Sequence, residues 1–376
     1  MTVAGLIFSN IHDQSIPEMT RMRTMASIPY GCRYRLIDFA LSNMVNSGIT
    51  NVGVIAHYNY QSLLDHIGTG KDWDLARRSG GIKILPPFIT AFDNQAANKL
   101  YENRLEAIIG ASNFITRCNA DYIVLSDCDV ILNIDLKKVI EEHVQSDAYI
   151  TLVSKKLGAD EVYESAVNVL QADESGRLID LSYYKPEGEE ATVSVNLMVM
   201  RRSDLQNILA EASARGYKSF YRDVIARQLA TKNIRVYEFE GWCAHISSLE
   251  GYFKSSMDLL QAEVREDLFG DKDRQIYTKI RNSAPTKYTA RAEVKNSLVA
   301  DGCLIEGKVE NCILFRGVHV GRGTVLKNCI LLQDTYVGSN VSLNCVVTDK
   351  NAVIKDGRNL SGHQTMPFFI GKNQTV

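Results

Sequence analysis

The sequence predicts an α/β protein in two parts. A mostly parallel, three-layer domain covers residues 1–260, a polar linker covers 261–291, and a parallel β-helix covers 292–376. Three observations predict this. Short apolar runs alternate with amphipathic stretches as far as residue 240, the pattern left by strands that cross over through helices. A polar stretch, KDRQIYTKIRNSAPTKY, then interrupts the alternation. Beyond it apolar residues recur near a six-residue period, as in coils of three short strands.

Taken in order, Val3–Phe8 is a short apolar first strand, followed by a long loop that runs into a helix near Asp38. Further strands are expected at Asn51–Tyr58, Ile82–Pro86, Tyr122–Ser126, Ala148–Ser154, Val193–Met200 and Ile234–Phe239. Helices are expected at Asp38–Asn46, Tyr60–Ile67, Ala97–Thr116, Leu136–Gln145, Ser203–Ala214 and Ser219–Thr231. In the C-terminal part, repeat units begin at Asn296, Asn311, Asn328 and Asn344, with spacings of 15, 17 and 16 residues. Cys312, Cys329 and Cys345 fall one residue after these asparagines, which predicts that they stack as small core residues and do not ligate metal.

Composition narrows the function. With 45% hydrophobic and 23% charged residues the chain is ordinary globular material, and its net charge of −2 gives no electrostatic basis for binding nucleic acid or a membrane. No apolar run approaches the roughly 18 residues of a membrane span. The first strand lacks the basic start and the length of a signal peptide, and the eight cysteines form no C-x-x-C pair. These features together predict a cytoplasmic protein with reduced thiols.

The loop after the first strand of an α/β sheet is where phosphates usually sit. Its second half reads Tyr30-Gly31-Cys32-Arg33-Tyr34-Arg35-Leu36-Ile37-Asp38-Phe39-Ala40-Leu41-Ser42-Asn43, then Asn46-Ser47-Gly48-Ile49. This closely resembles the F-G-G-x-Y-R-L-I-D-F-x-L-S-N-x-x-N-S-G-I frame of the sugar-1-phosphate nucleotidylyltransferases. The likeness is greatest to the ADP-glucose pyrophosphorylases of bacterial glycogen synthesis and, among them, to GlgD-type subunits. The resemblance implies a Rossmann-like nucleotidyltransferase domain and a left-handed β-helix of hexapeptide repeats.

The first half of the loop departs from the family's GG-x-G-x-R-L pattern. Asn10-Ile11 stand at the glycine pair, Asp13 at the next glycine and Ser15 at the arginine, while Met25-Ala26 replace a Lys-Pro. Glycines at such a turn let backbone N–H groups approach a triphosphate, and the arginine would stabilise the leaving pyrophosphate. Asp13 is expected to present negative charge to an anion. The G-T-A-D-A segment reads Gln95-Ala96-Ala97-Asn98-Lys99, with Glu102-Asn103 after it.

Other family positions survive in part. Asp129, in Leu125-Ser126-Asp127-Cys128-Asp129, matches a Mg²⁺ ligand at a strand end, and Asp223 matches the second. Either aspartate has a purely structural alternative, Asp223 as a residue in a helix's first turns. Lys185 matches a lysine that pairs with glucose-1-phosphate, Asn196 replaces a glycine beside the sugar, and His245 replaces an aspartate and is expected to be a packed or solvated residue, not a catalyst. Arg21, Arg23, Arg33 and Arg35 cluster where the family receives phosphorylated effectors, and are candidates for effector or interdomain contact.

The resemblance therefore implies a regulatory or assembly subunit with a degenerate active site. It would work with a catalytic ADP-glucose pyrophosphorylase subunit in a heterotetramer, or form a homo-oligomer, and would need Mg²⁺ only if it binds nucleotide. The alternative is an active glucose-1-phosphate adenylyltransferase that uses Mg²⁺ and binds nucleotide by another route. An acyltransferase built on the β-helix would need a rung-edge histidine, for which His319 and His363 are the candidates.

Overall fold

The structure is a computed structural model that describes residues 1–86, 101, 103–159 and 165–376. The segment Gln95–Lys99 and Glu102 lie outside the described residues. The elements that position the site are β1 (Val3–Phe8), α1 (Leu36–Asn46), β2 (Asn51–Ile55), α2 (Gln61–Ile67) and β3 (Gly81–Leu85). They continue with α3 (Arg104–Gly110), β4 (Tyr122–Asp127), α4 (Leu136–Gln145), β5 (Ile150–Leu157), β6 (Val167–Ala172) and β7 (Leu178–Tyr184). After these come β8 (Ala191–Arg201), α5 (Arg202–Arg215), β9 (Ile234–Glu238), α6 (Leu249–Asp258) and α7 (Ala262–Phe269).

These nine strands form one sheet, ordered β7-β6-β8-β4-β1-β2-β3, with β5 beside β8 and β9 beside β5. β4, β1, β2 and β3 are parallel, whereas β8 runs antiparallel to β4, β5 and β6. The expected parallel sheet thus holds at the site and gives way to antiparallel pairing beside it. Alternate residues of β1 serve opposite faces. Ala4, Leu6 and Phe8 pack with α3 and α5, and Ile7 packs with α1, α2 and α4, which makes three layers. Gly5 permits the close approach of α1, because a Cβ there would lie 2.2 Å from Met44 Sδ.

Several regions differ from expectation. The helix expected at Ala97–Thr116 lies partly outside the described residues and is otherwise two short helices, Arg104–Gly110 and Ser112–Arg117, while the strands β6 and β7 were not expected. The helix expected at Ser219–Thr231 is a π-helical turn at Phe220–Ile225 followed by a short α-turn, Ala226–Gln228. The stretch read as linker opens with α7, whose Val264 and Leu268 join a buried cluster. The polar residues around those two positions hid that apolar face.

Residues 287–370 build the β-helix from three stacks of five short parallel strands. Corner residues Asn296, Asn311 and Asn328 take positive φ (42°, 51° and 50°), which asparagine tolerates better than most residues. Their side chains link successive coils, as in the 2.8 Å bond from Asn296 Nδ2 to Asn311 Oδ1. The fourth unit corrects the cysteine expectation. Lys327 pairs with Asn344, so Cys345 occupies the asparagine corner at φ 51°, one place out of register with Cys312 and Cys329. Cys312 and Cys329 do stack in the coil interior, and Cys345 instead faces the first domain.

The third strand stack docks against the α/β domain. Ile313, Phe315, Ile330, Leu332 and Val347 share a core with Tyr30, Leu36, Phe39, Tyr252 and Leu259. All eight cysteines are free. Among the described residues no helix is long and apolar enough to cross a membrane.

Candidate functional site

The carboxyl ends of β1 and β4 are adjacent in register, Phe8 beside Asp127, so the loop leaving β1 lies over the end of β4. Asp127 closes β4. Asp129 follows in a turn held by a two-stranded ribbon, in which Val130 pairs with His245 and the Ile246 N–H donates to the Asp129 carbonyl at 2.7 Å. This ribbon brings His245 Nε2 to 3.0 Å from Asp129 Oδ2. From the loop, His12 Nε2 lies 3.2 Å from Asp127 Oδ2 and 3.6 Å from Asp129 Oδ2. The Arg104 guanidinium, from the first turn of α3, also pairs with Asp127 Oδ2.

Burial disfavours charge on both His12 and Asp129, yet the pairing prevails. Against desolvation, the fields of Asp129 and Asp127 push His12 up to about 9. Likewise, against its own burial, His12 and His245 hold the Asp129 carboxyl well below the usual carboxylate range. Asp127 and Asp129 are 3% and 1% exposed, and the Oδ1 atom of each has no hydrogen-bond partner.

Ligand atoms of His12, Asp127 and Asp129 lie within 4.8 Å of one another, a spacing at which three residues can share a metal ion. The Mg²⁺ ion that the resemblance implies does not fit these residues as they stand. Mg²⁺ demands near-octahedral oxygen coordination. Here a guanidinium and two imidazoles already engage the Oδ2 atoms of the pair.

The structure distributes the other candidates. Asp223 is not part of the triad. Its carboxylate accepts the Lys218 and Ser219 N–H groups at 3.0 and 2.9 Å and pairs with Arg222, which closes the start of the π-helical turn. Lys185 is exposed and pairs with Glu187 at 3.1 Å. Asn196 adopts φ 56°, so it keeps a glycine-like backbone while its side chain accepts from Tyr221 Oη at 3.0 Å. Asp13 does not present its charge to an anion. It turns into the loop, where the Met25 N–H donates to Oδ1 at 2.6 Å, and burial pushes its carboxyl up to about 7.

The four arginines separate. Arg21 is exposed on the loop. Arg23 is buried, and its Nη2 donates to both oxygens of Asp349 in the β-helix, at 2.8 and 2.9 Å. Its reading as an effector ligand gives way to that of an interdomain strut, since Asp349 and the Met19 carbonyl occupy its donors. Arg33 and Arg35 line a cleft between the domains together with Lys279, Arg281, Arg316 and Lys350. Burial and the neighbouring Arg35, Arg23 and Arg281 push Lys350 down to about 7, against the pull of Asp349.

Sequence reasoning missed His12, Asp127 and Arg104 as a group, although two aspartates two residues apart at a strand end were the available signal. It also missed Lys279 and Arg281, which were visible only as positive charge in the linker.

A nucleotidyl transferase family model matches residues 17–261, and a GlmU-like, C-terminal hexapeptide model matches residues 283–365. The chain is 34% identical to the glycogen biosynthesis protein GlgD of Bacillus subtilis (strain 168), over 98% of this chain and 95% of that protein. It is 32% identical to the glucose-1-phosphate adenylyltransferase of Geobacillus stearothermophilus, over 80% of this chain and 77% of the relative. Identity is also 32% to the enzyme of the same name from Clostridium perfringens (strain 13 / Type A), over 86% and 82%.

Proposed function

The chain belongs to the nucleotidyl transferase family, and from that premise we propose that it is a glycogen-biosynthesis protein serving as a regulatory or assembly subunit of ADP-glucose pyrophosphorylase. Its partner is a catalytic subunit that makes ADP-glucose from ATP and glucose-1-phosphate, joined with it in a heterotetramer. Similarity to a protein named GlgD along nearly the whole chain supports this reading.

The observation that carries it is the loop after β1. A triphosphate cradle needs free N–H groups and positive charge. In this loop the Asp13 and Ser15 N–H groups donate to the Asn10 and His12 carbonyls, and the Met25 N–H donates to Asp13 itself. The loop folds onto its own donors, and the Asp13 carboxyl inside it takes up the Met25 N–H. Phosphoryl-type transfer rests on positioning and electrostatic stabilisation, and loss of one such donor commonly costs about 10²–10³ in rate. Several are replaced here, so turnover by the isolated chain falls very low.

The interdomain cleft gives the subunit a regulatory input. Arg33, Arg35, Lys279, Arg281, Arg316 and Lys350 converge there from both domains. A phosphorylated metabolite bound among them would bias how the β-helix sits on the α/β domain, and through it the partner.

A second reading, an active glucose-1-phosphate adenylyltransferase, is favoured by Asp129 just past the end of β4 and by the relatives that carry that name. ADP-glucose synthesis assayed for the chain alone and mixed with a catalytic subunit separates the two. Negligible turnover alone with altered turnover or substrate affinity in the mixture supports the subunit. Robust turnover alone supports the enzyme.

A further inference from the structure

We infer that Arg104 and His12 do for the Asp127–Asp129 pair what a bound divalent cation would do, so that this chain closes its own metal position. The inference deepens the subunit reading and rests on it only for the site's loss of turnover.

Two carboxylates so deeply buried need positive charge beside them. Arg104 and His12 supply it, and both converge on a single oxygen, Asp127 Oδ2. His245 engages Asp129 Oδ2 at 3.0 Å.

The guanidinium is also built in place. Arg104 is 8% exposed and lies over the rings of Phe8 and Tyr221, at 5.2 and 6.0 Å. Tyr221 is itself fixed by Ser194 at 2.7 Å and by Asn196. The start of α3 is pinned by Asn103, whose side chain accepts from the Glu106 N–H at 2.9 Å. A divalent cation entering between the carboxylates would meet a guanidinium that is itself buried against them. Like charges that close disfavour each other strongly in a buried site.

The ion pair and the metal are therefore alternatives, and the ion pair is the one this chain has. Asp127 Oδ1 and Asp129 Oδ1, which lack partners, are where a cation would bind once Arg104 and His12 were removed.

The test is a Mn²⁺ titration followed by electron paramagnetic resonance, with Mg²⁺ as competitor, on the intact protein. Wild type is expected to bind no Mn²⁺ at this site up to about 1 mM. The H12Q/R104L double variant is expected to gain one site, with affinity at least about tenfold tighter than wild type, that D129N then abolishes. R104K, which keeps the charge, stays closed. One tight Mn²⁺ in wild type, lost in D129N, overturns the inference, as does a folded double variant that binds no better than wild type. If the double variant fails to fold, wild type against D129N decides alone. The metal titration leaves the subunit reading untouched, since that reading is decided by ADP-glucose synthesis of the chain alone and with a catalytic subunit.

Discussion

Replacing Arg23 with alanine tests how the two domains are held together. Arg23 and Asp349 are 3% and 4% exposed, and the guanidinium reaches both carboxylate oxygens at 2.8 and 2.9 Å across the domain boundary. Asp349 also caps its own chain, accepting the Lys350 N–H at 2.7 Å, so it cannot turn away when Arg23 is lost. Removing one member of a buried pair leaves an uncompensated charge, at a cost of about 3–5 kcal/mol. Spread over an unfolding entropy typical of a chain this long, about 4 kcal/mol corresponds to a drop of roughly 5 °C in Tm. Urea denaturation and calorimetry of Arg23→Ala would measure both quantities. Arg23→Met with Asp349→Leu should recover most of the loss, because apolar replacement of both partners is often neutral. A single variant within about 1 kcal/mol of wild type would place the pair with solvent-screened surface bridges and refute the strut.

Other predictions concern charge and backbone. Burial raises Asp13 to about 7, so the folded state holds this proton more tightly than the unfolded chain, and the associated stability is lost as pH climbs through that value. Asp13→Asn keeps an acceptor for the Met25 N–H, so its Tm should exceed that of wild type at pH 8 and converge with it near pH 4; equal Tm values at both pH values would count against the buried carboxyl. Lys350, lowered to about 7, is charged below that pH and neutral above it. Inorganic sulfate, whose charge does not change between pH 6 and pH 8, should therefore bind the cleft more tightly at pH 6 than at pH 8 in calorimetric titration, and Lys350→Met should flatten the difference, with a pH-independent wild type contradicting the assignment. Arg33→Ala with Arg35→Ala should weaken that binding, and with it any effector response of the assembled complex. Asn311→Ala places a Cβ without the asparagine side chain at φ 51° and should cost about 1 kcal/mol, whereas Asn311→Gly should cost less. Chemical denaturation compares the two.

What was legible in the sequence follows from the range of the interactions involved. Local patterns carried far. The short apolar run Val3–Phe8 marked the first strand, and the Tyr30–Asn43 frame marked the family. Contacts that depend on sheet order were not visible. His12 and Arg104 meet Asp127 only because β1 and β4 are neighbours and α3 packs against the same end of the sheet. The Cys345 error came from a coil of 17 residues, Asn328 to Cys345, in which the repeated Asn-Cys pair sits one place early. In α7 an apolar pair, Val264 and Leu268, was too sparse among charges to signal a buried face. Arg23 was a candidate for effector or interdomain contact, and its carboxylate partner across the boundary lies 326 residues away.

The central claim, that this chain modulates a catalytic subunit and does not itself make ADP-glucose, is tested most directly by steady-state synthesis from ATP, glucose-1-phosphate and Mg²⁺. The assay compares the purified chain, a catalytic subunit, and the co-expressed pair. The account predicts no turnover above background for the chain alone and a shifted turnover or substrate affinity for the pair. Turnover by the chain alone at a rate matching the catalytic subunit would contradict it, and would mean that the loop from Asn10 to Ser15 opens to hold a triphosphate.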